Sequence, residues 1–286
     1  MAYNVKVLCD SSSYSGVRLT TLEVTLPRIV LAEFNTHRMF SRNSASSRAI
    51  PIEKQIKRIM EDPFIPEYLG KNQKGMQAAE ELTGKVREEA ISNWLLARDK
   101  AVTQAKILLD LGVHKQLTNR LLEPWMWQTI LVTATEWNNF FALRRHKDAQ
   151  PEIKKAADLM WEAMVNSPTK FVGAGQYHLP LVQPEEISEL SQQGLDPCLV
   201  SVGRCCRVSY LTHDGKRDPK ADVELASQLR ISGHMSPYEH VAQPMIPGSD
   251  DSPQTTFCGN FRGWVQLRKT LVHEDDYSKL NIQGSK

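Results

Sequence analysis

One run restricts the fold more than any other: "RLTTLEVTLPRIVLAEF", residues 18–34. Leu22, Val24 and Leu26 alternate with Glu23 and Thr25 in a segment rich in β-branched residues, the period of a strand with one buried face. Pro27 marks its end, because proline brings no N–H to a ladder. Further along the chain the period changes. Residues 52–60 and 75–112 carry helix formers with apolar residues three and four apart, so the spacing predicts helices over both. A second long helical region is expected over 116–161, interrupted at Pro124 and Pro151. It holds Trp125, Trp127, Trp137 and Trp161, read either as core aromatics or as the wall of a pocket for a flat ligand.

With 286 residues, 41% of them apolar, the chain can bury the core of one large domain or two small ones. Its 35 basic and 33 acidic side chains leave a formal charge of +2, which gives no electrostatic reason to expect a nucleic-acid polymer or a membrane surface as partner. Any bound anion is expected to be small. The N-terminal "MAYNVKVLCD" lacks the succession of a secretory leader, and no apolar run approaches the roughly 20 residues of a membrane span. Five cysteines without framework spacing fit a reducing compartment, and the expected location is cytoplasmic. No C-x-x-C pair is present, no metal site is expected, and Cys205-Cys206 reads as packing.

Between residues 167 and 197 the composition turns to Pro, Gly, Gln and acidic residues, a connection with room for one short helix. After "CLVSVGRCCRVSY" and a polar turn, the sequence predicts a helix capped by Asp218, with Pro219 at its first position and Gly233 at its end.

Four windows carry candidate chemistry. In "NTHRMFSRNSASSR", residues 35–48, a helix would place His37, Ser41, Ser44 and Arg48 on one face. An irregular loop would instead offer backbone N–H groups as an anion nest. Both geometries suit phosphate, while a solvated, serine-rich turn is the competing reading. In "GHMSPYEH", Ser236 before Pro237 with Glu239 behind fits a helix cap, which leaves His234 and His240 unexplained. "FFALRRHKDAQPEI" sets Arg144, Arg145 and His146 directly after an aromatic segment, where a guanidinium at an apolar wall has its largest electrostatic effect. "NRLLEPW" carries Arg120, by itself a surface charge.

Together these windows resemble the flavin-dependent thymidylate synthases. The family's Arg-His-Arg motif, followed by Ser, Asn, Ser and Arg, is similar to "THRMFSRNSASSR" through His37, Arg38, Ser41, Asn43, Ser46 and Arg48. Its Arg-Val-Ser and His-x-Ser/Thr-Pro-Phe-Glu-His elements resemble "CRVSY" and "HMSPYEH", and its phosphate- and base-contacting arginine segments resemble "RLLEP" and "ALRRHKDAQPEI". The order differs: elements that ordinarily come first stand last here, as in a circularly permuted, phage-like variant. Two positions depart from the pattern, Thr36 for the first motif Arg and Glu33 for a Gln three residues upstream. Behind "SPYEH" stands "CGNFRGWVQLRKTL", from which Gln266, Arg268 or Lys269 is expected to replace the interactions missing at Thr36 and Glu33.

The resemblance implies an α+β fold in a single catalytic domain over 1–286, with a mixed or antiparallel sheet and a long helical bundle. Residues 1–170 would carry the nucleotide and flavin part, and 198–286 the permuted segment. It implies C5 methylation of dUMP to dTMP, a step of dTMP biosynthesis, with methylene-tetrahydrofolate as carbon donor, FAD as cofactor and NADPH as reductant, in a homotetramer. Arg144 would be catalytic. Glu33, Ser44, Ser46, Arg48, Arg120 and Arg144 would hold the nucleotide, and Thr36, His37, Arg38, Ser44, Asn139, His234, Ser236 and Glu239 the flavin. The rivals are methylation or hydroxymethylation of dCMP or another pyrimidine deoxynucleotide, cysteine-dependent chemistry at Cys205 or Cys206, and a nucleotide-binding protein without flavin.

Overall fold

The computed structural model describes residues 2–46, 50–210, 218–246 and 258–275. In chain order the elements are β1 (Asn4–Ser12), β2 (Arg18–Pro27), α1 (Leu31–Asn35), β3 (Ser41–Ser44), α2 (Ile52–Glu61), α3 (Gly84–Asp110) and α4 (Lys115–Thr118). They continue with β4 (Trp127–Ala134), α5 (Asn138–Arg144), α6 (Pro151–Val165), β5 (Lys170–Phe171), α7 (Pro184–Gln192), α8 (Pro197–Tyr210), α9 (Pro219–Ile231), β6 (Ala242–Pro244) and β7 (Trp264–Gln266).

Five strands form a mixed sheet in the order β3-β4-β2-β1-β5, antiparallel except for the β1–β5 pair. The apolar side of the alternation in β2 is as expected, but its other face is covered too, with Thr21 and Thr25 buried. Leu22, Val24 and Leu26 are fully buried on one face, against Ile153, Ala156, Ala157 and Met160 of α6 and the aromatic group Phe34, Phe40, Trp137, Phe140 and Phe141. On the other face Leu131 of β4 meets Cys205 and Val208 of α8. The sheet is thus covered on both sides, and that is why β4 is buried almost throughout.

Several expectations need correction. Residues 127–134 are a strand, not part of a long helix: "WQTILVTA" is β-branched and short, and between two covered faces a strand shows a continuous apolar run in place of alternation. The helix expected from residue 75 begins at Gly84, after a turn closed by the Gly70–Glu81 bridge. The apolar run 197–210 is a helix, α8, packed along α9. Beside the sheet α3 packs on α2 and the 3-10 segment Asn119–Trp125 through Val102, Ala105, Ile59 and Leu122.

Other readings hold. Asp218 caps α9 by accepting from the N–H groups of Lys220 and Ala221, and Gly233 takes the left-handed conformation just past its end (φ 74°). One short helix, α7, lies in the connection over 167–197. No helix among the described residues is long and apolar enough to cross a membrane.

Candidate functional site

The window over residues 35–48 is neither a helix nor a loop of serines. Thr36 and His37 follow α1, and Ser41–Ser44 form the edge strand β3, paired with β4 in the register Ser41↔Thr133 to Ser44↔Ile130. A strand sends alternate residues to opposite faces, so Ser41 and Ser44 do not share a face. The helical reading of His37, Ser41, Ser44 and Arg48 is therefore wrong for the first three, and Arg48 lies outside the described residues.

The arginines in the window separate by role. Arg42 turns back onto α1: its Nη1 donates to the carbonyl oxygens of Asn35 (2.6 Å), Phe34 (3.4 Å) and His37 (3.4 Å). It satisfies the bare carbonyls at a helix C-terminus and so is structural. Arg38 is exposed and without a side-chain partner among the described residues.

At the end of α5, Arg144 reaches the same window. Its Nε donates to His37 Nε2 at 2.9 Å and its Nη2 to Thr36 Oγ1 at 3.4 Å. Burial, then the positive charges of Arg144 and Arg42, lower the His37 pKa to about 4. His37 is therefore neutral near pH 7, accepting at Nε2 and carrying its proton on Nδ1. Its ring also lies edge-on to Phe140, 4.9 Å between centroids. Glu33, one turn before His37, has its Oε2 buried and without a hydrogen-bond partner among the described residues.

The C-terminal windows close over β3 and β4. The Ser236 hydroxyl lies 3.5 Å from Asn43 Oδ1, while Asn43 Nδ2 donates to the Cys205 carbonyl at 3.0 Å. Ser236 therefore opens a 3-10 turn, Ser236–Glu239, instead of capping a helix. Glu239 pairs with Arg268 Nη1 at 2.6 Å, and Arg268 Nε with Glu274 at 2.8 Å. Lys269 also reaches Glu274. The expectation that Arg268 serves the surroundings of Glu33 and Thr36 is thus corrected, because its charge is matched by Glu239 and Glu274. Gln266 does touch the window, donating from Nε2 to Ser41 Oγ (2.8 Å) and Asn260 Oδ1 (2.7 Å). Asn260, which no periodicity marked, in turn donates to the Met39 carbonyl (3.1 Å).

Under this layer runs a buried polar chain. Ser11 Oγ meets His178 Nδ1 (2.7 Å), His178 Nε2 meets Thr21 Oγ1 (2.7 Å), Thr21 meets Thr133 (2.7 Å), and Thr133 meets His240 Nδ1 (2.8 Å). His240, left unexplained by the capping pattern, ties the "SPYEH" turn to the centre of the sheet. Burial lowers the pKa of both His178 and His240 to about 3.

The remaining expected residues are dispersed. Asn139 and His234 are exposed or nearly so, Ser44 and Ser46 partly exposed. Arg120 lies before the start of β4, half-exposed, with Nη1 on Glu123 Oε1 at 2.9 Å; Arg28 shares that carboxylate at 3.1 Å. Arg144 follows the far end of β4, and eight residues of strand span roughly 23 Å. One copy of the chain therefore does not bring Arg120 and Arg144 together. Cys205 is fully buried and burial raises its thiol pKa; at Cys206 burial outweighs the neighbouring Arg207 charge and raises the pKa to about 11. Neither is held as the thiolate that a nucleophile needs.

Residues 17–167 match the family described as thymidylate synthase complementing protein. The match spans His37, Arg120 and Arg144 and ends before Cys206 and His234, the windows that stand out of the usual order. No curated protein matches the chain. Among solved structures the chain is similar to the UMP/dUMP methylase PolB from Streptomyces cacaoi bound with 5-Br UMP, at 17% identity over 57% of this chain and 89% of that one, TM-score 0.48. The same methylase bound with 5-Br dUMP aligns at 15% identity over 57% and 90%, TM-score 0.48. Thymidylate Synthase X (ThyX) from Helicobacter pylori with FAD and dUMP aligns at 17% over 51% and 67%, TM-score 0.35. With more than half of its 286 residues matched by the family, the chain belongs to the thymidylate synthase complementing proteins.

Proposed function

We propose that the protein is a flavin-dependent methyltransferase that converts dUMP to dTMP, with methylene-tetrahydrofolate as carbon donor and NADPH as reductant. The observation that carries this is the Arg144–His37–Thr36 cluster, which joins the base-contacting arginine segment to the signature window.

C5 of a uracil ring is a weak nucleophile. A guanidinium against N3 and the neighbouring carbonyl oxygen stabilises the ring's anionic form and directs electron density to C5. Arg144 is positioned for this role, because neutral His37 accepts from Nε, which fixes the plane of the guanidinium and leaves donors for the base. Bound FAD would supply the hydride that completes the methyl group. The residues present fit such a dinucleotide in their chemistry: Arg38 offers its diphosphate a guanidinium with no side-chain partner among the described residues, and Thr36, Asn139, His234 and Ser236 would add polar side chains. Ser44, Ser46 and Arg120 would take the nucleotide, Arg120 toward the phosphate in exchange for Glu123. The separation of Arg120 from Arg144 along β4 supports sites shared between copies, and thus the homotetramer.

Release of tritium from C5-tritiated dUMP, by the protein supplied with FAD, methylene-tetrahydrofolate and NADPH, tests the reading. The expected result is release that requires the flavin and an oxidised-flavin band in the visible spectrum. Release without flavin, or none, overturns it.

One observation favours a second substrate. Glu33 stands where the family pattern has a Gln, one turn before His37, and a carboxylate accepts from an N–H donor but cannot donate. The exocyclic amine of cytosine supplies one where uracil has a carbonyl. C5-tritiated dCMP run in parallel decides between the two, and Glu33→Gln is expected to weaken dCMP turnover and spare that of dUMP.

A further inference from the structure

Residues 36–40, which display Thr36, His37 and Arg38, form a turn between α1 and β3, outside any helix or strand. Such a segment keeps one conformation only if its backbone groups are held from outside it. Arg42 holds the carbonyls of Phe34, Asn35 and His37. The next two are taken by a single side chain from the far end of the sequence. Asn260 Nδ2 donates to the Met39 carbonyl at 3.1 Å and to that of Arg38 at 3.5 Å.

Asn260 is itself fixed. Its Oδ1 accepts from Ser41 Oγ (3.0 Å) and Gln266 Nε2 (2.7 Å), and Gln266 Nε2 also donates to Ser41 Oγ (2.8 Å), which closes a ring of three side chains. Reversing the Asn260 amide would set its NH2 against that of Gln266 and its oxygen against two carbonyls, so one orientation holds. Ser41 and Gln266 are each only 1% exposed, and in such surroundings the hydrogen bonds of a network strengthen one another. The backbone makes room for the ring at Gly259, which sits at φ 81° and where an added Cβ would lie 2.1 Å from Gln266 Oε1. Because β3 is already held to β4 by its own ladder, the added grip falls on the turn.

We propose that Asn260 and Gln266 are positioning residues: by fixing the Arg38 and Met39 carbonyls they hold the turn so that His37 meets Arg144 in one geometry. The inference rests on reading the Arg144–His37–Thr36 cluster as the site of the base.

The test uses the full-length protein, 15N-labelled in histidine, without nucleotide or flavin, at pH 8, well above the His37 pKa of about 4. The His37 ring resonances are identified by their loss in His37→Gln. Donation from Arg144 Nε leaves the His37 proton on Nδ1, and that tautomer is expected in the unaltered protein. It should give way to the tautomer mixture of free imidazole in Asn260→Ala. The same is expected of Asn260→Asp, which still accepts from Ser41 and Gln266 but cannot donate to the carbonyls. An unchanged tautomer in either folded variant, the result of a merely structural tie, overturns the proposal. So does a proton on Nε2 of His37 in the unaltered protein, a result independent of whether a variant folds. Tritium release from dUMP by the unaltered protein tests the underlying reading separately. Given that release, Asn260→Ala should lower kcat by about 10–100-fold with KM for dUMP within about threefold. An unchanged kcat overturns the proposal and leaves the reading standing.

Discussion

Arg144 and Arg42 stand near one another around His37, yet their contacts assign them different work. Arg144 donates to two side chains and keeps other N–H groups for a ligand, whereas Arg42 commits Nη1 to three backbone carbonyls. Arg144→Ala should cut tritium release by about 10²–10³, the range for losing one preorganised donor, with the melting temperature little changed. Arg144→Lys should not restore it, because an ammonium cannot hold His37 and a base edge in one plane. Arg42→Ala should show the reverse: a loss of about 1–3 kcal/mol in urea unfolding, from carbonyls left bare at the end of α1. The spacing of "THRMFSRN" marked the window but did not separate these roles, since both side chains are arginines near one histidine.

At the scale of elements, the expectation of a helix over 127–134 fails for a plain cause. A strand buried on both faces loses its alternation, and flanking helical segments then absorb it in any window average. The pairing of α8 with α9 was equally invisible. It depends on Gly203, where an added Cβ would lie 2.3 Å from the Asp222 carbonyl oxygen of α9. Around that contact Asp222 takes Arg207 Nε (2.5 Å) and Arg204 Nε (3.3 Å), and Arg204 also holds Glu186 of α7 (2.9 Å). Gly203→Ala should therefore push the helices apart and cost about 1–3 kcal/mol in chemical denaturation.

Across the whole molecule, the C-terminal segment is fastened to the sheet through groups that must stay uncharged. His178 and His240 have folded pKa values of about 3 against about 6.5 in an unfolded chain. Each protonates later in the folded state, so stability is full above about pH 6.5 and is lost as the pH falls toward 3. With two more protons on the unfolded chain, the slope approaches about 2.7 kcal/mol per pH unit across that window. His37 adds a smaller, partly screened share in the same direction. Urea unfolding at pH 7 and pH 5 should show the drop, and His178→Gln should roughly halve the slope.

The strand over 18–27, the helices at 52–61 and 219–231, the Asp218 cap and the resemblance of four windows to one family were all legible in the sequence. Each depends on local spacing or residue chemistry, which the chain carries wherever it is placed. Tertiary structure alone decided that "HMSPYEH" closes over "THRMFSRN" from more than 190 residues away. It also decided that Gln266 and Asn260 brace the window while Arg268 turns to Glu239 and Glu274. Interactions of that reach are set by which surfaces the sheet and helices bury against each other, and no pattern along the chain records them.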